Sequence, residues 1–208
     1  MSNSINFPVT DYTLFKEQLL TWCTGFGNCS FLDNHLYKNK WQQQECIAAA
    51  GVYKSISCHT GNALEQLQHF IDNNSKHWLF GHLSYDLKNE IETLESTHIN
   101  HILFPDLFFF IPEIVIRLNE NKITIDSLKE HPQIIFEEIS QVETKEKHFN
   151  KKINVSPRVN KDQYIKIIEQ LKKHIERGDC YEINYCQEFF AENVCFDPLI
   201  SFKKLCQL

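Results

Sequence analysis

The chain has 208 residues, of which 42% are hydrophobic and 12% are aromatic. This composition is that of a globular protein with a real core, and it excludes an intrinsically disordered chain. The formal net charge of −6, without a dense basic cluster, argues against a general nucleic-acid binder. The length allows one large domain, or one domain and a piece of another.

No apolar run approaches the ~20 residues that a helix needs to cross a bilayer, and the amino terminus lacks the apolar core of a signal peptide. We therefore predict a cytoplasmic protein with no membrane partner. The eight cysteines include no Cys-x-x-Cys pair, so we expect small buried apolar residues and neither a zinc site nor a disulfide framework. His98 and His101 have ligand-like spacing, but no cysteine or carboxylate pair completes a site, and we predict no metal ligand.

The amino-terminal part alternates between helical and strand patterns. Apolar residues recur at helical spacing over 12–22, with Thr10 or Asp11 as the cap. Strand patterns at 29–32 and 45–52, a second amphipathic helix at 62–71 and an apolar run at 78–85 follow. We predict that the last run is a central strand, and that Gly81 within it marks a close backbone approach or a bulge.

Three acidic residues follow this run, namely Asp86, Glu90 and Glu92. They could be taken for catalytic carboxylates, but a solvated turn and helix start is the favoured interpretation.

A hairpin and a helix precede a charged stretch. Segments 113–118 and 122–126 flank Asn119-Glu120-Asn121, which is a good hairpin signal. A helix is predicted at 131–142, with Pro132 in its first turn. Residues 143–159 are charged and poor in large apolar side chains. We predict a linker there, between an amino-terminal domain at 1–142 and a second domain at 160–208.

Residues 160–190 carry the clearest local signals. An apolar stripe at helical spacing predicts a helix, Asn160 and Gln163 resemble a capping box, and Gly178 supplies a left-handed residue at the helix end. Residues 181–186 then alternate between apolar and polar, which predicts a strand. An ordinary helix–strand connection with a solvent-facing polar side is one interpretation of this unit.

A resemblance gives a second interpretation. The run GDCYEINYCQEFF (178–190) resembles the signature at the head of the catalytic domain of chorismate-utilising enzymes. That family includes anthranilate synthase component I, aminodeoxychorismate (para-aminobenzoate) synthase component I, and the isochorismate and salicylate synthases. The segments WLFGHLSYDLKNEIE (78–92) and FPDLFFFIP (104–112) resemble its amino-terminal domain. The signature is most similar to that of the aminodeoxychorismate synthases, which reads approximately Gly-Asp-x-Tyr-Gln-x-Asn.

The resemblance implies an α+β fold with mixed, largely antiparallel sheets and helices packed outside. It also implies conversion of chorismate and ammonia to 4-amino-4-deoxychorismate, in para-aminobenzoate and folate synthesis. Mg²⁺ would be the cofactor of the complete enzyme, and a glutamine amidotransferase subunit would supply the ammonia.

Two positions of the signature bear on the branch of the family. The isochorismate- and salicylate-forming relatives carry a water-activating lysine where this chain has Glu182. An ionised carboxylate only accepts hydrogen bonds and cannot replace an amine base, so ammonia is the expected nucleophile and Glu182 is a candidate catalytic residue. Asn184 matches the asparagine of the para-aminobenzoate signature and is a candidate for the substrate pocket wall.

In the same family, the first strand-and-loop region carries a motif that binds tryptophan. Leu32, Asp33 and Asn34 fall where the family has Leu-Glu-Ser or a relative of it, and Trp41 falls where an aromatic residue can line that pocket. Asn34 departs from the serine. A plain surface hairpin loop is the alternative interpretation.

The end of the sequence raises a question of completeness. Asp197-Pro198 predicts the start of a last helix, which has no stop signal before residue 208. By the resemblance, the metal-binding acids and the groups that hold the chorismate carboxylates lie further on. We therefore expect a truncated chain that is inactive alone. The alternatives are anthranilate synthase component I, and a non-catalytic fragment that senses tryptophan or docks an amidotransferase.

Overall fold

The computed structural model describes residues 3–37, 40–41, 43–92, 94–95, 99–119, 122–144 and 153–206. The chain divides into two compact units, Met1–Lys145 and Glu146–Leu208. The predicted linker at 143–159 includes this division, but residues 145–152 lie outside the described residues. The predicted domain boundaries therefore stay a prediction.

The described part of the first unit alternates strands with short helices. Its strands are β1 (Asn3–Pro8), β2 (Cys29–Asp33), β3 (Cys46–Ala50), β4 (Lys54–Cys58), β5 (Phe80–Leu83), β6 (Leu107–Ile111), β7 (Ile114–Asn119) and β8 (Lys122–Ser127). Its helices are α1 (Tyr12–Cys23), α2 (Ala63–Asn73), α3 (Lys88–Ile91) and α4 (Pro132–Ser140), with a 3₁₀ turn at Tyr85–Leu87.

Five strands form an antiparallel sheet in the order β1-β8-β7-β3-β2. β7 and β8 are the predicted hairpin, in which Ile116 pairs with Ile125. Both side chains lie on the face that packs against α1 and α4, where Leu19 and Ile139 are also fully buried. Helix α1 begins at the predicted cap, since the Asp11 side chain accepts a hydrogen bond from the amide of Leu14 at 2.9 Å.

A second antiparallel sheet has the order β4-β6-β5, so the predicted central strand is wrong: β5 lies at the edge, and β6 is central. Phe80 is buried, but Leu83 is 54% exposed, because the apolar run of β5 is only partly covered. The predicted close approach at Gly81 is confirmed. A Cβ atom there would overlap the carbonyl oxygen of Phe108 and the Cα atom of Phe109.

The two sheets of the first unit meet through a small apolar cluster. Ala49 and Val115, on the second face of the five-stranded sheet, pack with Phe80 and Phe110 of the three-stranded sheet. Only part of the second face is covered in this way, since Leu32 on the same face is more than half exposed.

The second unit is built around helix α5 (Lys161–Arg177). Its predicted capping box between Asn160 and Gln163 is confirmed, and Gly178 ends it with a φ of 84°, in the left-handed region. Short strands β9 (Ser156–Pro157) and β10 (Phe189–Phe190) pair antiparallel. Helix α6 (Pro198–Leu205) begins as predicted, with Asp197 accepting hydrogen bonds from two amides of the first turn.

The predicted strand at 181–186 is wrong. Residues 182–188 have no regular secondary structure, although their side chains alternate between apolar and polar. A strand requires a hydrogen-bonded neighbour, and within the described residues no strand pairs with 182–187; the carbonyl of Glu188 accepts a hydrogen bond from the amide of Arg158 at 2.8 Å. Regular pairing begins only at Phe189.

The predicted fold class is confirmed: the protein is α+β, with antiparallel sheets and helices packed against them. None of the helices in the described part of the chain is both long enough and apolar enough to cross a membrane.

Candidate functional site

The residues singled out by sequence lie in two places, namely the end of β2 with the loop that follows it in the first unit, and the segment that follows α5 in the second. In the first place, Lys16 Nζ of α1 donates to Asp33 Oδ1 at 2.6 Å and to Glu45 Oε1 at 3.5 Å. The side chains of Asp33 and Glu45 are only 8% and 4% exposed. Because a buried carboxylate without a partner is strongly unfavourable, Lys16 stabilises both acids.

The same two carboxylates hold an unusual backbone. His35 and Leu36 have φ angles of 52° and 58°, a left-handed conformation that disfavours residues other than glycine. The amide of His35 donates to Asp33 Oδ1 at 3.0 Å, and the amide of Leu36 donates to Glu45 Oε1 at 2.7 Å. The buried charges therefore fix the shape of the loop.

The candidates for the tryptophan pocket point in different directions. Asp33 is bound to Lys16, whereas Leu32, its neighbour along the strand, lies on the opposite face of the sheet. The side-chain amide of Asn34 donates to the carbonyl of Tyr37.

Trp41 is 78% exposed, and Lys40 Nζ lies 4.8 Å from the centre of its ring. Three of the four candidates are thus consecutive along the chain, with Leu32 and Asp33 at the end of β2 and Asn34 directly after it. A tryptophan site and a plain surface loop both stay hypotheses for this region.

The segment after α5 begins with a cluster of charges around Asp179. His174 Nδ1 lies 2.7 Å from Asp179 Oδ2, and Arg177 Nε donates to the same oxygen at 3.0 Å. Hydrogen bonds from Arg177 and then from His174 hold the pKa of Asp179 below its ordinary value. The sequence analysis missed this cluster. The sequence does contain a signal for it, because basic residues lie in the last turn of α5 and a carboxylate follows two residues later. The basic residues were explained by the helix dipole alone.

Glu182 and Asn184 are both exposed within the second unit. The residues that follow them contact other parts of the second unit. The centre of the Tyr185 ring lies 5.3 Å from the centre of the Tyr164 ring in α5, and Gln187 Nε2 donates to the carbonyl of Val159 at 2.6 Å. The two candidate side chains therefore project from a segment that is fixed at its later residues. Their roles at a substrate stay predictions.

The two arginines of the second unit are each engaged with a carboxylate. Arg158 Nε donates to Glu188 Oε2 at 2.8 Å, and its guanidinium carbon lies 3.6 Å from the centre of the Phe190 ring. Arg177 is bound to Asp179. Each arginine thus uses part of its guanidinium for a carboxylate of the same unit.

Of the three acidic residues after β5, Glu90 lies in the short helix α3 and is not part of a solvated turn. Its carboxylate accepts hydrogen bonds from the amides of Gly61 at 2.7 Å, Ala63 at 2.8 Å and Leu64 at 3.0 Å. Glu90 thus caps helix α2, and these backbone hydrogen bonds lower its pKa. The sequence could not reveal this contact, because Glu90 lies far from α2 along the chain.

Asp106 forms a second anchor nearby. Its Oδ2 accepts a hydrogen bond from the amide of Thr60 at 3.0 Å, and its Oδ1 accepts one from the hydroxyl of Ser84 at 3.1 Å. The backbone hydrogen bond from Thr60 is the main cause of a lowered Asp106 pKa, followed by the bond from Ser84. Glu90 and Asp106 together fix the loop that leads into α2.

The cysteines are free, and three of them are buried, namely Cys23, Cys46 and Cys58. Burial raises the pKa of the Cys46 thiol to about 12, so it stays protonated near neutral pH. The expectation of buried cysteines is wrong for Cys29, Cys186 and Cys195, which are exposed.

Within the described residues, no three His, Cys, Asp or Glu side chains are grouped so that they could hold a metal ion. His98 lies outside those residues.

Comparison with known proteins agrees with the resemblance seen in the signature. Residues 33–208 match the family described as chorismate binding enzyme. Over 151 residues the chain is 28% identical to anthranilate synthase component 1 of Buchnera aphidicola subsp. Pemphigus spyrothecae. That alignment covers 65% of this chain but only 28% of the relative, so the chain spans much less than the relative's length. Because the family match extends over most of the sequence, the chain belongs to the chorismate binding enzyme family.

Proposed function

We propose that this chain is part of component I of an aminating chorismate enzyme, which converts chorismate and ammonia to 4-amino-4-deoxychorismate. The observation that carries the proposal is the signature after α5, at 178–190, inside the region that matches the family. It has Glu182 where the water-adding relatives have a lysine, and Asn184 where the para-aminobenzoate branch has asparagine. The absence of the lysine favours ammonia as the nucleophile.

In this proposal the second unit supplies one wall of the chorismate pocket. The α5 cap and the Asp179 cluster fix where the signature starts, and Tyr185 and Gln187 fix where it ends. Asn184 would contribute hydrogen-bonding groups to the pocket wall, and Glu182 would accept a proton or a hydrogen bond from the attacking ammonia.

The 208-residue chain is expected to be inactive alone. Chorismate carries two carboxylates, and displacement of its hydroxyl needs cationic partners for the charge. Arg158 and Arg177 are both bound to carboxylates of this chain. Mg²⁺ is the expected cofactor by the resemblance, but within the described residues no group of side chains fits it, so no step is assigned to it here. A glutamine amidotransferase is the proposed source of ammonia.

A second candidate, anthranilate synthase component I, is favoured by the relative from Buchnera. One experiment separates the two. The complete gene is expressed in a para-aminobenzoate auxotroph and in a tryptophan auxotroph, and the purified enzyme is incubated with chorismate and ammonium. Rescue of the first strain with formation of aminodeoxychorismate supports the proposal, whereas rescue of the second with formation of anthranilate overturns it. The 208-residue chain alone should give neither product.

A third candidate is a non-catalytic fragment that binds tryptophan. It is favoured only by the position of Leu32, Asp33 and Asn34, and a tryptophan titration of the purified chain tests it.

A further inference from the structure

A cavity of about 160 Å³ lies against the second face of the five-stranded sheet. Its apolar lining includes Trp78 before β5, Pro112 between β6 and β7, and Val115 of β7. Trp78 is half exposed, so its ring presents a flat apolar surface. None of the residues predicted for the tryptophan pocket is among those that line this cavity.

Arg117, whose side chain is partly exposed, lines the same cavity. Arg117 Nη2 donates to Asp126 Oδ2 at 2.8 Å. Arg117 Nε is buried, and it has no hydrogen-bond acceptor among the described residues. The exposed part of the guanidinium, rather than the buried Nε, is therefore the group that can donate to a ligand in the cavity.

The cavity also carries a net positive charge once the internal ion pairs are taken into account. Asp126 is paired with Arg117, and Glu113 is paired with Lys129. Lys76 lines the same cavity and has no ion-pair partner in the described part of the chain. One uncompensated ammonium group suits a ligand that carries a single negative charge.

We propose that this cavity binds a small monocarboxylate with a single flat ring. The carboxylate would accept hydrogen bonds from the partly exposed guanidinium of Arg117 and from Lys76 Nζ, and the ring would pack against Trp78 and Pro112. The volume is below the ~300–1,000 Å³ of pockets for drug-sized ligands, which restricts the ligand to about one ring. All of these residues belong to the first unit, and none belongs to the signature at 178–190.

The test is a titration of the whole chain with benzoate, followed by calorimetry and by tryptophan fluorescence. Saturable binding is expected. Lys76→Gln and Arg117→Lys should each weaken it by about tenfold or more, since each removes a hydrogen bond to a charged group. Benzamide, which has the same ring without the charge, should bind at least about tenfold more weakly than benzoate. Lys122→Gln makes the same charge change at the other end of β8 and should leave the affinity unchanged.

Two outcomes overturn the proposal. One is the absence of saturable benzoate binding at millimolar concentration. The other is a Lys76→Gln variant that binds benzoate as tightly as the unchanged chain. Lys76 is exposed, so this variant should fold normally. If the circular dichroism spectrum shows that Arg117→Lys is unfolded, the Lys76→Gln variant and the comparison with benzamide still test the proposal.

Discussion

Glu90 Oε1 accepts a hydrogen bond from the backbone amide of Ala63 at 2.8 Å, across 27 residues of sequence. Ala63 is the first residue of α2, where the amides have no partner inside the helix. The side chain of Asn62, the residue before the helix, makes no capping hydrogen bond of its own. The cap of α2 is therefore supplied by a distant side chain.

Replacing Glu90 with alanine should destabilise the first unit, because three amides lose their acceptor at once. We expect a thermal midpoint several degrees lower by circular dichroism. Glu65→Ala is the matched control, since Glu65 lies in the first turn of the same helix but is largely exposed. Equal midpoints for the two variants would show that Glu90 is not the cap.

Acid should weaken the fold through the same anchor. The pKa values of Glu90 and Asp106 are lowered in the folded state, chiefly by backbone hydrogen bonds. A lowered folded-state pKa contributes stability that is present above the unfolded pKa and is lost as pH falls through the folded one. We therefore expect the urea concentration at the unfolding midpoint to decrease once the pH is lowered past about 4.5, the ordinary pKa of glutamate. Glu90→Gln should be less stable at pH 7 and should lose less stability on acidification.

The close approach at Gly81 gives a backbone test. An alanine methyl group would overlap the carbonyl oxygen of Phe108 and the Cα atom of Phe109, and neither can turn away as a side chain could. Gly81→Ala should lower the free energy of unfolding by about 2 kcal/mol, as overpacking commonly does. Gly27→Ala has no atom within 4 Å of the new methyl group and should change the stability much less. Urea denaturation of both variants, followed by tryptophan fluorescence, measures the difference.

Local signals were sufficient for much of the fold. The caps at Asp11 and Asp197, the capping box at Asn160, and the left-handed Gly178 all depend on neighbouring residues, and the structure has each of them. The order of the strands in the sheets could not be predicted from such local signals. β5 has an apolar sequence but lies at an edge, because strand position depends on which distant segments pair with it.

The candidate sites likewise depend on contacts between distant segments, which local signals do not reveal. The segment at 181–186 has the alternation of a strand, but alternation is realised as a strand only where a partner provides hydrogen bonds. Asp33 was considered a pocket residue from its position in a motif, yet its side chain is bound to Lys16 of α1. Such a pairing between distant segments cannot be deduced from spacing in a single sequence.

That pairing predicts the effect of removing Lys16. Lys16→Met would remove the Lys16 ammonium group from the nearly buried carboxylates of Asp33 and Glu45. The free energy of unfolding should fall by about 1–3 kcal/mol, the cost of an unsatisfied buried polar group. Adding Glu45→Gln should restore part of the loss, because one buried charge is then removed. Lys54→Met, at an exposed position, is the control, and urea denaturation is the measurement. A loss no larger than that of the control would contradict this account of the loop.

The structure of the same loop leads us to expect that it does not bind L-tryptophan. The side-chain amide of Asn34 is already bound to the carbonyl of Tyr37, and Asp33 is bound to Lys16. A ligand that used the same Asn34 Nδ2 hydrogen or the same Asp33 oxygen would therefore first have to break one of these contacts. Calorimetric titration of the chain with L-tryptophan should show no saturable binding at millimolar concentration.

Two variants make this outcome informative. Leu32 and Leu83 are both 54% exposed, but only Leu32 belongs to the loop motif. If saturable tryptophan binding were observed, and if Leu32→Ala weakened it while Leu83→Ala did not, the loop would be a tryptophan site after all. Binding that is insensitive to both changes would place tryptophan elsewhere on the chain and would leave the internal role of Asn34 and Asp33 unchanged.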